Sequence, residues 1–153
     1  MAEKFRMQVA LPDLAATASL GARIAAALRP GDAVALAGDL GAGKTTLARA
    51  ILSALGLEEN VPSPTFTLVQ SYDCARLRVS HYDLYRLKSE AEMQELGLDE
   101  ALEDGAVLVE WPERAGAHLP ADALRVELGG AGEERRATLD GPARWRILEQ
   151  AHV

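Results

Sequence analysis

"LAGDLGAGKTTLARAIL", residues 36–52, is the most informative stretch of this 153-residue sequence. Gly38, four further residues and then Gly43-Lys44-Thr45 match the phosphate-binding pattern GxxxxGK[ST] without a mismatch. The apolar run AVALAG leads into the loop and indicates a strand buried on both faces. The run KTTLARAILSAL follows with helical periodicity and ends at Gly56. A strand, a glycine-rich loop and a helix in this order predict a nucleotide-phosphate site.

The loop also predicts which groups hold the phosphates. Successive backbone N–H groups and the positive end of the helix dipole converge on one point, where an anion fits. We expect Lys44, one of only three lysines in the sequence, to reach the β- and γ-phosphates, and the Thr45 hydroxyl to bind magnesium. Gly41 and Gly43 are expected to allow a backbone approach that a Cβ would block. The predicted nucleotide-binding residues of the loop are Gly38, Asp39, Leu40, Gly41, Ala42, Gly43, Lys44, Thr45 and Thr46.

Two carboxylates stand at the ends of predicted strands, where a metal-side acid is expected. Glu110 closes the apolar run AVLVE, and Asp83 closes the alternating run RVSHYD. We predict that both are catalytic together with Lys44, and that both are candidate magnesium ligands together with Thr45. A strand-end or helix-capping acid is the alternative for each. His81 lies two positions before Asp83 on the same strand face, so both a supporting role and an ordinary strand position stay open.

The remaining pattern predicts an α/β protein with a P-loop NTPase-like three-layer fold, in one domain over residues 1–153. Its mixed sheet has a mainly parallel centre and antiparallel hairpin strands. The predicted elements are an edge strand at Phe5 to Leu11, a helix carrying Leu14, Leu20, Ile24 and Leu28, a hairpin with its turn at Cys74 to Arg76, a helix capped by Ser89 and Glu92, a short helix at Gly97 to Asp104, strands near Leu124 to Leu128 and Arg136 to Leu139, and a last helix from Ala143.

Composition limits the environment and the partners. A net charge of -7 disfavours direct contact with a polyanion, so any RNA is expected to be held by a partner. One cysteine excludes an internal disulfide, and no apolar run approaches a membrane span. The first residues lack the apolar core of a signal peptide. These features predict a soluble cytoplasmic protein without a membrane partner.

The choice of nucleotide and reaction rests on missing motifs. Translation-type GTPases carry an Asn-Lys-x-Asp guanine reader, but the single asparagine, Asn60, is followed by Val61. ATP is therefore the expected nucleotide. A small-molecule kinase would need a basic lid, and the one adjacent arginine pair, Arg135-Arg136, is interpreted as solvated strand charge. Three hypotheses stay open: an ATPase, a small-molecule kinase, and a nucleotide-gated interaction module that binds ATP without useful hydrolysis.

Four stretches together resemble one family. GDLGAGKTTL, VPSPTFTLVQSY, HYDLYRL with ELGLDE, and VLVEWPERA are similar, in order and spacing, to the bacterial tRNA threonylcarbamoyladenosine biosynthesis ATPase family, TsaE, formerly the YjeE family. The resemblance runs from about Asp32 to Pro120.

The resemblance implies a small P-loop ATPase that uses ATP and Mg. It would work beside two related proteins, a transferase subunit and its paralogue, which transfer threonylcarbamoyl onto adenosine 37 of tRNA, so that tRNA would be contacted only indirectly. ATP hydrolysis would support repeated rounds. Carried over by motif, Thr65 would sense the γ-phosphate from a switch-like loop at Pro62 to Thr67, Asp83 and Glu110 would be the acids near metal and water, and Trp111 would lie near the nucleotide.

Overall fold

A computed structural model describes residues 4–39, 41–57 and 68–150. The strands in these ranges are β1 Lys4–Ala10, β2 Ala33–Gly38, β3 Val69–Asp73, β4 Arg78–Asp83, β5 Gly105–Glu110, β6 Leu124–Gly129 and β7 Arg136–Pro142. The helices are α1 Leu14–Ala27, α2 Lys44–Ala54, α3 Glu90–Glu95, α4 Leu98–Asp104 and α5 Ile147–Gln150. The strand and helix predicted on either side of the phosphate loop are therefore confirmed as β2 and α2.

The strands of the described residues form one mixed sheet in the order β1-β7-β6-β2-β5-β4-β3. The central strands run parallel, with β2 between β5 and β6 and β4 beside β5. β7 pairs antiparallel with both β1 and β6, and β3 pairs antiparallel with β4. The predicted α/β class and the mixed sheet with antiparallel hairpin strands are confirmed. This order puts the carboxyl ends of β2, β4, β5 and β6 at one edge of the sheet, where the phosphate loop begins.

Alternating side chains of the central strands pack into two clusters, one on each face of the sheet. On one face, Ile24 of α1 and Ile51 of α2 are buried in a cluster with Leu108 of β5. On the other face, Val107 clusters with Met93 of α3 and further apolar side chains of the segment after β5. The run AVLVE reads as continuously apolar because its strand is covered on both sides.

Helix α1 contains the predicted residues Leu14, Leu20 and Ile24, but it ends at Ala27, and Leu28 is an extended residue outside it. Asp13 caps it, since its side chain accepts a hydrogen bond from the Ala16 N–H at 2.9 Å. Leu20 and Ile24 are buried, whereas 73% of Leu14 is exposed. At about 100° per residue, Leu14 lies well over 90° around the helix from Leu20, outside the buried face.

The second half of the chain departs from prediction in two details. The Ser89 hydroxyl accepts from the Glu92 N–H at 3.3 Å, but the Glu92 carboxylate accepts from the Lys88 N–H and does not close the reciprocal bond of a capping box. The last helix starts as a 3₁₀ segment, Ala143–Arg146, before α5. The switch-like loop expected at Pro62 to Thr67 lies outside the described residues. Among the helices that are described, none has the length and apolar character needed to cross a membrane.

Candidate nucleotide-binding site

The phosphate loop joins β2 to α2 through left-handed glycines. Gly41 and Gly43 have φ of 83° and 106°, so each adopts a backbone conformation that favours glycine. Among the described residues, a Cβ on Gly41 would meet no atom within 4 Å, and a Cβ on Gly43 would meet only an arginine nitrogen, at 3.9 Å. The positive φ values therefore require these glycines, and no atom of the described residues fills the space in front of them. Gly38 differs, because its Cβ would lie 2.6 Å from the Leu128 carbonyl oxygen.

Lys44 is held by its own loop. Its Nζ donates hydrogen bonds to the carbonyl oxygens of Gly38 and Asp39, at 2.6 and 2.9 Å. Burial lowers the pKa of Lys44, and nearby carboxylates, the Glu110 carboxylate first among them, oppose that shift. The ammonium group is therefore positioned by the loop and faces the carboxylate side of the site.

The carboxylate of Glu110 connects the loop to the sheet. Its Oε1 accepts a hydrogen bond from the Thr45 hydroxyl at 2.8 Å, and its Oε2 lies 2.6 Å from Nε2 of His81. Glu110 is 2% exposed and His81 is fully buried. An ionised Glu110 carboxylate can only accept hydrogen bonds, so the Nε2–H group of His81 is then the donor in this hydrogen bond. His81, for which the sequence left two roles open, therefore orients the Glu110 carboxylate.

Asp83 lies beside Glu110 because the two residues are register partners on the parallel strands β4 and β5. Alternate side chains of β4 and β5 point to the sheet face that α1 and α2 cover. This set includes His81, Asp83 and Glu110, which therefore lie under the first turn of α2. The Asp83 Oδ1 accepts from the Tyr85 N–H at 3.1 Å, and the residue is 6% exposed. The structure thus brings both predicted acids to one cleft.

Trp111 directly follows Glu110 and covers Lys44. It has a φ of 60°, an uncommon value for a bulky residue. Its ring lies 4.0 Å from Nζ of Lys44, a cation–π contact, and its centroid is 5.0 Å from that of Tyr85. The strained backbone therefore aims the indole at the ammonium group of the phosphate loop.

A residue that sequence reasoning set aside also reaches the loop. Arg135 immediately precedes β7, and its guanidinium donates to the Gly41 carbonyl oxygen at 3.4 Å. Arg136 is exposed, as predicted for solvated strand charge, but Arg135 lines the cleft. Nothing in the local sequence pattern signals this, because it depends on β6 being the neighbour of β2.

The cleft bounded by these residues has a volume of about 490 Å³ and is lined by Gly41, Gly43, Lys44, Thr45, Thr46, Asp83, Tyr85, Arg86, Glu110, Trp111 and Arg135. The hydroxyl and carboxylate oxygens of Thr45, Glu110 and Asp83 fit a hard divalent cation such as Mg²⁺. The described residues contain no group of three or more His, Cys, Asp or Glu side chains able to hold a metal by itself. A magnesium ion here would take its other ligands from water and phosphate.

Most predicted site residues surround this cleft or form its loop. Asp39 contributes its carbonyl to Lys44, and Ala42 packs against the core cluster beneath α1 and α2. Leu40 and Thr65, together with the switch-like loop at Pro62 to Thr67, lie outside the described residues, so their predicted roles stay predictions.

Comparison with known sequences matches this chain to one protein family. The profile of the family "Threonylcarbamoyl adenosine biosynthesis protein TsaE" matches residues 11–138. The chain is 43% identical over 121 residues to the tRNA threonylcarbamoyladenosine biosynthesis protein TsaE of Rickettsia felis, covering 78% of this chain and 71% of that protein. It is 40% identical over 139 residues to the TsaE protein of Streptomyces coelicolor, covering 85% and 94% of the two chains.

Comparison with solved structures agrees. The crystal structure of YdiB from Bacillus subtilis superposes with a TM-score of 0.76 at 30% sequence identity, covering 98% of this chain and 94% of YdiB. This coverage extends beyond the residues that the family profile matches. The fold is that of a P-loop NTPase, and the chain belongs to the TsaE family of threonylcarbamoyl adenosine biosynthesis proteins.

Proposed function

We propose that this protein binds Mg²⁺–ATP in the cleft at the phosphate loop and hydrolyses the ATP to support threonylcarbamoylation of adenosine 37 in tRNA. The observation that carries the proposal is the contact of Thr45 with Glu110. Through it, the Thr45 hydroxyl, a buried carboxylate and the phosphate loop belong to one hydrogen-bonded group, which supports a metal and phosphate site here.

Each residue has a distinct role in this proposal. Lys44 leaves the carbonyl oxygens of Gly38 and Asp39 and binds the phosphates. The Thr45 hydroxyl, which donates to Glu110 in this structure, would be a ligand of the metal. Magnesium, when bound, neutralises the charge that develops on the phosphates. The Glu110 carboxylate, held by His81, would accept a hydrogen bond from the attacking water, and the Asp83 carboxylate would lie beside it.

Membership of the family assigns the protein to tRNA modification, and the charge of the chain suggests which molecules it contacts there. An acidic protein with a net charge of -7 is repelled by phosphate backbones. We therefore propose that it acts on the transferase subunit and its paralogue, and that hydrolysis resets this complex between rounds. tRNA would be reached only through those proteins.

The test is ADP release by the purified chain with magnesium and ATP, alone and with the two partner proteins and substrate tRNA. We expect stimulation by the partners and several rounds of modification per complex. Lys44→Ala should lose nucleotide binding, whereas Glu110→Gln should keep it and lose hydrolysis. Glu127→Gln, the same chemical change at an exposed position of β6, is the matched control and should behave as the unsubstituted protein.

Other outcomes point to the other hypotheses. Release of ADP that depends on a small-molecule acceptor and ignores partners and tRNA would identify a kinase. Complex formation that requires ATP, with modification unaffected by Glu110→Gln and Asp83→Asn, would identify an interaction module without useful hydrolysis.

A further inference from the structure

Strand β6 packs closely against the start of the phosphate loop. Gly38 and Leu128 are register partners, and a Cβ on Gly38 would lie 2.6 Å from the Leu128 carbonyl oxygen. β6 flanks β2 on one side, and β5, which ends in Glu110, flanks it on the other. The turn that follows β6 therefore borders the loop on the side away from the two carboxylates.

This turn is built tightly and holds the backbone of Arg135 in place. Gly130 has a φ of 79°, and a Cβ there would lie 2.4 Å from the Glu134 carbonyl oxygen. The Glu134 N–H donates to the Ala131 carbonyl at 3.0 Å, and the Arg135 carbonyl accepts from the Leu11 N–H at 2.7 Å. The main chain at Arg135 is thus anchored both to its own turn and to the segment between β1 and α1.

The guanidinium of Arg135 points from this anchor into the cleft. Its hydrogen bond to the Gly41 carbonyl, at 3.4 Å, is long, and its Nη1 is the nearest atom to the position a Cβ on Gly43 would take. Its Nε is buried and has no hydrogen-bond partner within the described part of the chain, and no carboxylate described there pairs with it. A fixed cation with unused donors therefore faces the loop glycines.

We propose that Arg135 is a nucleotide-binding residue that donates to the phosphate chain from the side of the loop opposite Glu110 and Asp83. The inference rests on the nucleotide binding proposed above and adds a second fixed cation to Lys44. A polyphosphate in this cleft meets two carboxylates on one side, so a cation on the other side offsets their repulsion. The guanidinium has donors in a planar fork that matches phosphate oxygens.

Nucleotide affinity tests this directly, without reliance on hydrolysis. The dissociation constants of Mg²⁺–ADP and Mg²⁺–ATP are measured by calorimetry for the unsubstituted protein, Arg135→Gln and Arg136→Gln. Arg136→Gln removes the same charge from the neighbouring exposed position and is the matched control. We expect Arg135→Gln to weaken both nucleotides about tenfold or more, the loss typical of one charge-assisted hydrogen bond, and Arg136→Gln to change neither.

Equal affinities in Arg135→Gln and Arg136→Gln would overturn the inference and leave the proposed ATPase untouched. Failure of the unsubstituted chain to bind either nucleotide would overturn both. If Arg135→Gln does not fold, modification of the unsubstituted protein with phenylglyoxal, mapped by mass spectrometry, carries the test. ADP should protect Arg135 and leave Arg136 reactive, and equal modification of Arg135 with and without ADP would contradict the proposal.

Discussion

His81 is fully buried, and its Nε2 lies 2.6 Å from the Glu110 carboxylate. Replacing it with alanine leaves that buried carboxylate without its histidine partner, which is more costly than removing a neutral hydrogen bond. We expect His81→Ala to lower the free energy of unfolding by about 3 kcal/mol, measured by urea denaturation.

Ser80→Ala is the matched control for this change. Ser80 is the neighbouring buried residue on β4, and its hydroxyl pairs with that of Ser71 at 2.9 Å. Loss of this neutral pair should cost only about 1 kcal/mol. Equal costs for the two variants would show that His81 does not stabilise a charge.

Tyr82 predicts a pH dependence of stability. Burial raises its pKa to about 12, with a smaller contribution from Glu100, and its hydroxyl donates to the Leu96 carbonyl. An unfolded tyrosine titrates at 10.0, so between these values the folded protein keeps a proton that the unfolded chain loses. The stabilisation is complete below pH 10 and is lost as the pH rises towards 12.

The free energy of unfolding should therefore fall more steeply with pH above 10 in the unsubstituted protein than in Tyr82→Phe. Denaturant titrations of both proteins below and above this pH measure the difference. Because Cys74 is present in both, the rise in its pKa through burial cancels in the comparison. Parallel pH profiles would contradict the prediction.

The positions of site residues could be predicted from the sequence where a motif fixes them, but not where their contacts depend on strand order. Lys44 and Thr45 follow from the loop pattern, and the closeness of Asp83 to Glu110 follows if two strand-end acids share a sheet edge. Arg135 could not be placed, because its approach to Gly41 requires β6 to lie beside β2. No local periodicity encodes that neighbour relation.

Helices α1 and α2 cross closely at Gly21. A Cβ on Gly21 would lie 2.6 Å from the Ala50 Cβ and 2.9 Å from the Ala50 carbonyl carbon. In an ordinary helix, glycine to alanine stabilises by up to about 1 kcal/mol. Here we expect Gly21→Ala to destabilise by about 1–3 kcal/mol in thermal or urea unfolding, because the helices must separate.

The exposed residue Ala18 of the same helix provides the control. Ala18→Gly should cost about 1 kcal/mol from helix propensity alone. A gain of that size in Gly21→Ala would mean that Gly21 is an ordinary helical position and that the close crossing tolerates a methyl group.

The elements themselves were largely predictable because each carries a local signal. Gly56 follows the end of α2, and the acidic helix after Ser89 starts where its cap predicts. Leu28 shows the limit, since it fits the helical spacing of α1 but adopts an extended conformation after the last helical residue, Ala27. The 3₁₀ start of the last helix was also missed, because Pro142 marks a beginning but not the type of turn that follows.

Ligand binding should be visible in the stability of the whole protein. A nucleotide that binds only the folded state at about 100 times its dissociation constant raises the free energy of unfolding by about 2.7 kcal/mol. For a chain of this length, that corresponds to a rise in melting temperature on the order of 5–10 °C. We expect Mg²⁺–ADP to give this shift in differential scanning calorimetry, and Lys44→Ala to abolish it. An equal shift in that variant would place the nucleotide elsewhere.

The sheet order has a consequence for how the chain acquires its structure. Among the strands that the structure describes, β2 at Ala33–Gly38 pairs with β5 and β6, which begin at Gly105 and Leu124. On a ribosome, the phosphate loop is therefore synthesised long before either strand that supports it. Contacts of such sequence separation slow folding, because a long loop must close before they form. Most of the chain must emerge before the site can assemble, so nascent chains that stop short of β6 should bind no nucleotide.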